Sequence, residues 1–204
     1  MSRLWKRLDI SQEDVRYITE GDRIYYAREY MAGRSYDASE ANNLITNFKK
    51  PVDRKHSPEW RYKTLAIDKF ATEISHLLKD DEGYVFAAMP TSKCKSDAEY
   101  DSRLEDTLRV LAKKKGNIII QEPLATKQTI RASHYGGTRE PEDIYENLLW
   151  NGFNVRTNHV MLIDDVLTWG SHFKACQRMI LEHHPSMEII GIFWAKTIWD
   201  DDVI

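Results

Sequence analysis

Two adjacent carboxylates, Asp164 and Asp165, follow the apolar run Val160, Met161, Leu162 and Ile163 and precede Val166, Leu167, Thr168, Trp169, Gly170, Ser171 and His172. A short apolar run of this kind reads as a buried strand, so the acids stand where a strand gives way to a loop and then a helix. Successive strand side chains point to opposite faces, but at a strand exit both acids can turn toward a ligand above the sheet. There they can accept hydrogen bonds from vicinal sugar hydroxyls or hold a hydrated Mg²⁺. Thr168 through His172 present backbone N–H groups at a helix N-terminus, which favours a phosphate. The plainer alternative makes Asp165 a solvated turn residue and Thr168 or Ser171 an ordinary N-cap.

The elements that must position these residues follow from apolar spacing. Residues 84–89, 118–120, 160–163 and 189–193 are short, continuously apolar strands. Between them, Ile67, Phe70, Ile74, Leu77 and Leu78, then Leu104, Leu108 and Leu111, then Phe173, Cys176 and Ile180 mark helical faces. Such alternation predicts a doubly wound, mostly parallel α/β sheet covered on both faces. Upstream, residues 23–31 are rich in β-formers, and Ala41, Leu44, Ile45 and Phe48 repeat at helical spacing. Ser11 to Asp14 reads as a helix start. The polar, proline-flanked residues 49–58 predict a boundary between an N-terminal extension, 1–58, and a core, 59–204. Residues 124–147 show neither period over most of their length. Open α/β sheets bind ligands beyond the carboxyl ends of their strands, which adds Met89 to Lys93 and Gln121 to Pro123 to the candidate site.

Composition narrows the function classes. The 204 residues carry 29 Lys and Arg against 32 Asp and Glu, a formal charge of −3, which excludes a mainly electrostatic nucleic-acid binder. Cys94 and Cys176 lie far apart with no CxxC pair, so a disulfide framework is not expected and the chain reads as cytosolic. No apolar run approaches the roughly 20 residues of a spanning helix, and the basic N-terminus lacks the apolar core of an export signal. A soluble protein with no membrane partner is expected.

Residues 160–170 resemble the signature of the type I phosphoribosyltransferases, which runs four apolar residues, two acids, two mostly apolar residues, a variable residue, Thr or Ser, Gly, a variable residue and Thr. Within that family the chain is most similar to the ComF-type, amidophosphoribosyltransferase-like branch. Lys49 and Lys50 after an amphipathic turn resemble the segment before its first core helix. Thr126 to Thr129, with Arg139 and Asn147, resemble its long lid, and Phe193 to Thr197 resemble its closing strand. The resemblance spans about residues 22–197, and only the acidic pair with its loop is specific.

The resemblance implies a fold with a small N-terminal hood and a long lid, and transfer of a phosphoribosyl group from phosphoribosyl pyrophosphate to a base or amine, with Mg²⁺. Asp164 and Asp165 would take the ribose hydroxyls, and Thr168, Trp169, Gly170, Ser171 and His172 the 5′-phosphate. Thr91, Ser92 and Lys93 would form the pyrophosphate loop. Lys127, Gln128, Arg131, His134 and Arg139 would face the ligand from the lid, with Gly136 and Gly137 supplying hinge freedom. Such chemistry asks little acid–base work; it asks for positioning, neutralised diphosphate and excluded water. Mg²⁺ would be held mainly through the ligand, with Asp164 or Asp165 as its protein contact.

The departures from the pattern matter as much. Trp169 replaces a hydroxyl residue, His172 replaces Thr, and the paired-cysteine zinc module common in this branch is missing. Trp169 either narrows the phosphate loop or packs against the next helix. These changes motivate a second reading: a non-catalytic member of the fold that binds a nucleotide, nucleic acid or protein partner in regulation or defence. A third takes the two acids as the metal pair of a response-regulator receiver, although that fold carries its pair after the first strand. Elsewhere, Cys94 between Lys93 and Lys95 could have a lowered thiol pKa or simply fill space. His183 and His184 suit a helix C-terminus. Tyr25, Tyr26, Tyr30 and Tyr36 could stack on a base, or with Trp194 and Trp199 line a homodimer interface.

Overall fold

Alternating side chains on fully buried strands must serve two cores, one on each face of the sheet. In the computed structural model, which describes residues 4–12, 15–129 and 140–199, this is what the apolar runs do. Strand β1 (Lys6–Arg7) pairs antiparallel with β2 (Arg23–Met31), which leads to helices α1 (Glu40–Phe48) and α2 (Trp60–Ser75). Then come β3 (Tyr84–Ala88), α3 (Arg103–Lys114), β4 (Ile118–Gln121), β5 (Leu124–Thr126), α4 (Pro141–Glu146) and β6 (Leu148–Trp150). The described chain closes with β7 (His159–Leu167), α5 (Ser171–His183) and β8 (Glu188–Ile198).

The main sheet runs β1-β2-β8-β7-β3-β4, parallel except for β1, while β5 and β6 form a separate antiparallel pair. The molecule is thus α/β, with a mostly parallel sheet flanked by helices. Tyr84 and Phe86 of β3 pack with Phe48, Phe70, Leu104 and Leu108 of α1, α2 and α3; Val85 and Ala87 turn to Phe173, Cys176 and Ile180 of α5. Gly191 of β8 fits this second core because an added Cβ would stand 3.0 Å from the rings of Phe173 and Phe193. No described helix is long and apolar enough to cross a membrane.

Local chemistry sets the element ends. Ser39 caps α1 by accepting from the Asn42 amide at 3.0 Å, while Lys113 and Lys114 close α3 with favourable charge. Residues 23–31 form one strand, paired beside β8 from Arg23 with Ile190 to Met31 with Ile198, so the N-terminal extension shares the sheet with the core. A buried polar cluster fastens this edge. Arg28 donates twice to Glu73, at 2.6 and 2.5 Å, the Trp194 indole donates to Glu73 Oε2 at 2.7 Å, and the Trp5 indole to the Glu73 carbonyl at 3.0 Å.

Several expectations change. Residues 118–120 belong to an edge strand, with Ile119 45% exposed, because β4 has a neighbour only at β3. Residues 124–147 contain β5 and α4, elements too short for a period to register. Trp194 and Tyr26 are buried inside the chain and pack in its core. Ser11 to Asp14 starts no described helix: Ile10–Gln12 is a single 3₁₀ turn, and Glu13 and Asp14 lie outside the described residues.

Candidate functional site

The sheet order fixes where a ligand crevice can open. From β3 the chain moves outward to β4, whereas β7 and β8 build the sheet in the opposite direction, so the loops leaving β3 and β7 diverge between those two neighbours. This is a topological switch point. Pro90 to Lys93 leave one side of it and Thr168 to His172 the other.

The acids do not sit in the exit loop. Strand β7 continues through Leu167, pairing Asp164 with Phe193 and Val166 with Ala195, so the alternation of the strand holds and the two carboxylates project to opposite faces. Asp164 turns toward α5: its Oδ1 accepts from the Asp165 amide at 2.7 Å and its Oδ2 meets His172 Nδ1 at 3.1 Å. Asp165 turns toward α1 and α3, where Arg103 donates Nε and Nη2 to Oδ2 at 3.0 and 2.7 Å and Lys49 Nζ lies 2.9 Å from Oδ1. Both acids are buried. Burial alone would raise the Asp165 pKa, but Lys49 and Arg103 outweigh it and hold the carboxyl well below its usual range. The Arg103 guanidinium shifts further upward against its own burial, driven by Asp165 and Asp101.

His172 bridges the two loops. Burial disfavours its charged form, but the hydrogen bond and charge of Asp164, then Asp165 and the Pro90 carbonyl, raise its pKa. The ring therefore stands beside Asp164 at the opening of α5, where a hydroxyl residue was expected.

The loop that opens α5, expected to hold a phosphate, is shaped by the N-terminal residues. Gly170 caps α5 at φ +86°, and an added Cβ would run into Ile18 Cγ1 at 2.6 Å. The Tyr17 amide donates to the Trp169 carbonyl at 3.0 Å, and the Arg16 guanidinium lies 5.7 Å from the Trp169 ring centre. Trp169 thus packs against an N-terminal arm, in addition to whatever α5 offers it. Thr168 is exposed, and Ser171 is buried.

On the β3 side, Thr91 Oγ1 donates to the Lys93 carbonyl at 3.1 Å, and the Lys93 ammonium pairs with Glu99. Lys93, expected as a point charge for a ligand, is already occupied within its own loop. Ser92 is half-buried there. Cys94 lies 3.4 Å from Thr129 Oγ1 and 3.3 Å from Ser96 Oγ, and these hydrogen bonds lower its thiol to about 7. The neighbouring lysines are not among the main causes of that shift.

Lys127 and Gln128, expected in a lid, are held against residues 146 and 147. Lys127 Nζ donates to the Glu146 carbonyl at 2.5 Å, its amide to the Asn147 carbonyl at 2.8 Å, and Asn147 Nδ2 donates to the Gln128 carbonyl at 2.9 Å. Arg131, His134, Gly136, Gly137 and Arg139 lie outside the described residues. A small cavity opens beside the crevice between β3 and β4, lined by Pro90, Thr91, Lys93, Tyr100, Glu105 and Thr126 among others. His183 and His184 engage Trp150, His183 stacking at 4.4 Å between ring centres.

Sequence reasoning missed the cations that hold Asp165. Arg103 opens α3, a helix start where a positive charge is unfavourable unless a carboxylate meets it, and that misplacement was the available signal. Lys63 falls in phase with Ile67, Phe70 and Ile74 on the apolar stripe of α2, another readable anomaly. It donates to the Lys50 carbonyl at 2.7 Å and to Asp101 Oδ2 at 2.6 Å; burial lowers its pKa, with Asp101 opposing.

Among the described residues, no group of three or more His, Cys, Asp or Glu side chains gathers as a metal site. Asp164 and Asp165, divided between faces and already paired, do not fit a Mg²⁺ held by protein donors alone. Compared with known proteins, the chain matches no family model and no curated sequence.

Proposed function

We propose that this chain is a phosphoribosyltransferase-like protein that binds phosphoribosyl pyrophosphate or a related nucleotide in the crevice between β3 and β7, and transfers the phosphoribosyl group to a base or amine. The observation that carries the reading is the convergence at one switch point of a buried acidic pair, a helix N-terminus opened by a positive-φ glycine and the Thr91–Lys93 loop. Ligands of open α/β sheets bind at such a point, and a sugar bearing phosphates uses both acceptors and N–H donors.

In this reading the backbone amides opening α5 orient the 5′-phosphate. The Thr91–Lys93 loop orients the diphosphate, with Lys93 exchanging Glu99 for the leaving group. Asp164, beside the opening of α5, accepts from the ribose hydroxyls and fixes the sugar while charge develops at its anomeric carbon; Asp165, on the opposite face, keeps Lys49 and Arg103 in place. Mg²⁺ would come with the ligand, since among the described residues the side chains build no site for it unaided.

One observation favours the non-catalytic alternative: each carboxylate oxygen of Asp164 and Asp165 already has a protein partner. Calorimetry with phosphoribosyl pyrophosphate and Mg²⁺ tests the shared premise. Saturable binding that Asp164→Asn weakens at least tenfold is expected, and no binding by the unmutated chain would sink the proposal. Pyrophosphate release with a panel of bases and amines then separates an enzyme from a binder.

A further inference from the structure

Among the described residues, two buried side-chain atoms lack a hydrogen-bond partner: Glu105 Oε2 and Thr197 Oγ1. An orphaned hydroxyl costs little beside an orphaned carboxylate oxygen, which carries charge away from water and requires a donor. Glu105 stands in the first turn of α3 and lines the cavity between β3 and β4. Its other oxygen, Oε1, accepts from the Tyr100 hydroxyl, so the carboxylate is fixed at one oxygen and open at the other. The cavity measures about 20 Å³, room for one water-sized group.

The hydroxyls of the lining have spent their protons. Thr91 Oγ1 donates to the Lys93 carbonyl at 3.1 Å, Thr126 Oγ1 donates to the Thr91 carbonyl at 2.6 Å, and the Tyr100 proton goes to Glu105. A hydroxyl has one proton and two lone pairs, so these three retain acceptor capacity only. The Gln121 amide is engaged at both ends, accepting from the Asn154 amide at 2.7 Å and donating to the Ile120 carbonyl at 3.0 Å. Both lysines of the lining already have carboxylates, Lys93 with Glu99 and Lys95 with Glu122. Arg109, which also acts on Tyr100, is matched by Asp106 at 2.5 Å, and Asp97 beside Lys93 adds a further negative charge. With these neighbours included the balance is negative, and the oxygen left open is that of Glu105.

We infer that this cavity is a site for one dehydrated monovalent cation of about the size of water, potassium or ammonium, with Glu105 Oε2 as its charged ligand and the Thr91 and Thr126 hydroxyl oxygens as neutral ones. One open carboxylate oxygen matches one positive charge. Mg²⁺ and Ca²⁺ ask for several acidic ligands or keep their waters; here there is no second open carboxylate and no room for a hydrated ion. An anion would meet acceptors alone. The three ligands come from α3, the loop leaving β3 and β5, so the cation fastens the Thr91–Lys93 loop to two other elements from beneath. The site lies beside the crevice and does not depend on its reading as a phosphoribosyl site.

Thermal melts of the full chain in potassium, ammonium and tetramethylammonium chloride, at one ionic strength, test the site. Potassium or ammonium should raise the melting temperature saturably, by about 3 °C over tetramethylammonium, which is too large to enter. Whichever of the two half-saturates at the lower concentration is the preferred occupant. Glu105→Gln keeps the shape of the side chain and an acceptor for Tyr100 but removes the charge, and should raise the half-saturating concentration about tenfold or abolish the shift. A second readout needs no variant: crystals soaked in thallium(I), an electron-dense mimic of both ions, should show a peak beside Glu105. Equal melts in all three salts, a shift that Glu105→Gln keeps in full, or soaked crystals without that peak would each overturn the site and leave a buried water or a proton as the partner of Glu105.

Discussion

Three side chains near the crevice have charge states set by named neighbours, and each can be read in solution. Cys94 should alkylate with a pH midpoint of about 7, against roughly 8.5 for a free thiol. Thr129→Val should move that midpoint upward, since the Thr129 hydroxyl is one of its two main causes. Buried Cys176, whose thiol is pushed up by burial, should stay unlabelled until the chain unfolds. His172 has a pKa raised above the ordinary value of about 6.5. Its stabilising contribution is complete below that pH and disappears as pH rises through the folded value. Thermal melts of His172→Gln should therefore lose the upper-pH slope that the unmutated chain shows. Asp165→Asn leaves Arg103 with Asp101 as its remaining anion, and should cost about 3 kcal/mol of stability by urea titration.

At the scale of elements, the legible parts were those with long periods and two-sided burial. Residues 23–31, 40–48 and 171–183 could be read because β-formers or i, i+3, i+4 spacing ran uninterrupted. The faces of Asp164 and Asp165 were misread for a physical reason: apolar character ends at Ile163, but strand pairing does not. Two buried acids continue the ladder because cations from other elements neutralise them, and no local pattern carries that information. The arm that meets the α5 loop was equally invisible, since Ile18 and Gly170 are distant in sequence. It makes a sharp prediction. Gly170→Ala should cost about 2 kcal/mol or more through its positive φ and the Ile18 contact. Adding Ile18→Ala to that variant should recover only the steric share, as a double-mutant cycle in urea would report.

For the whole molecule, the coarse class was readable and the site's wiring was not. Alternating apolar runs implied a sheet with two covered faces, yet nothing in them showed that β2 would enter that sheet beside β8. Glu73 ties this distant edge together through Arg28, Trp5 and Trp194, so Glu73→Gln should loosen it. Amide exchange should quicken along β2 and β8 before it quickens in β3.

That pairing also governs the order in which the chain can become itself. Arg23 through Met31 meet Ile190 through Ile198, so β2 emerges from the ribosome long before its partner exists. Until then its unpaired edge and the apolar seats for Trp5 and Ile18 are open to other chains. Slow synthesis toward the carboxyl end would prolong that exposure, and release or crowding at that moment would decide between closure and aggregation.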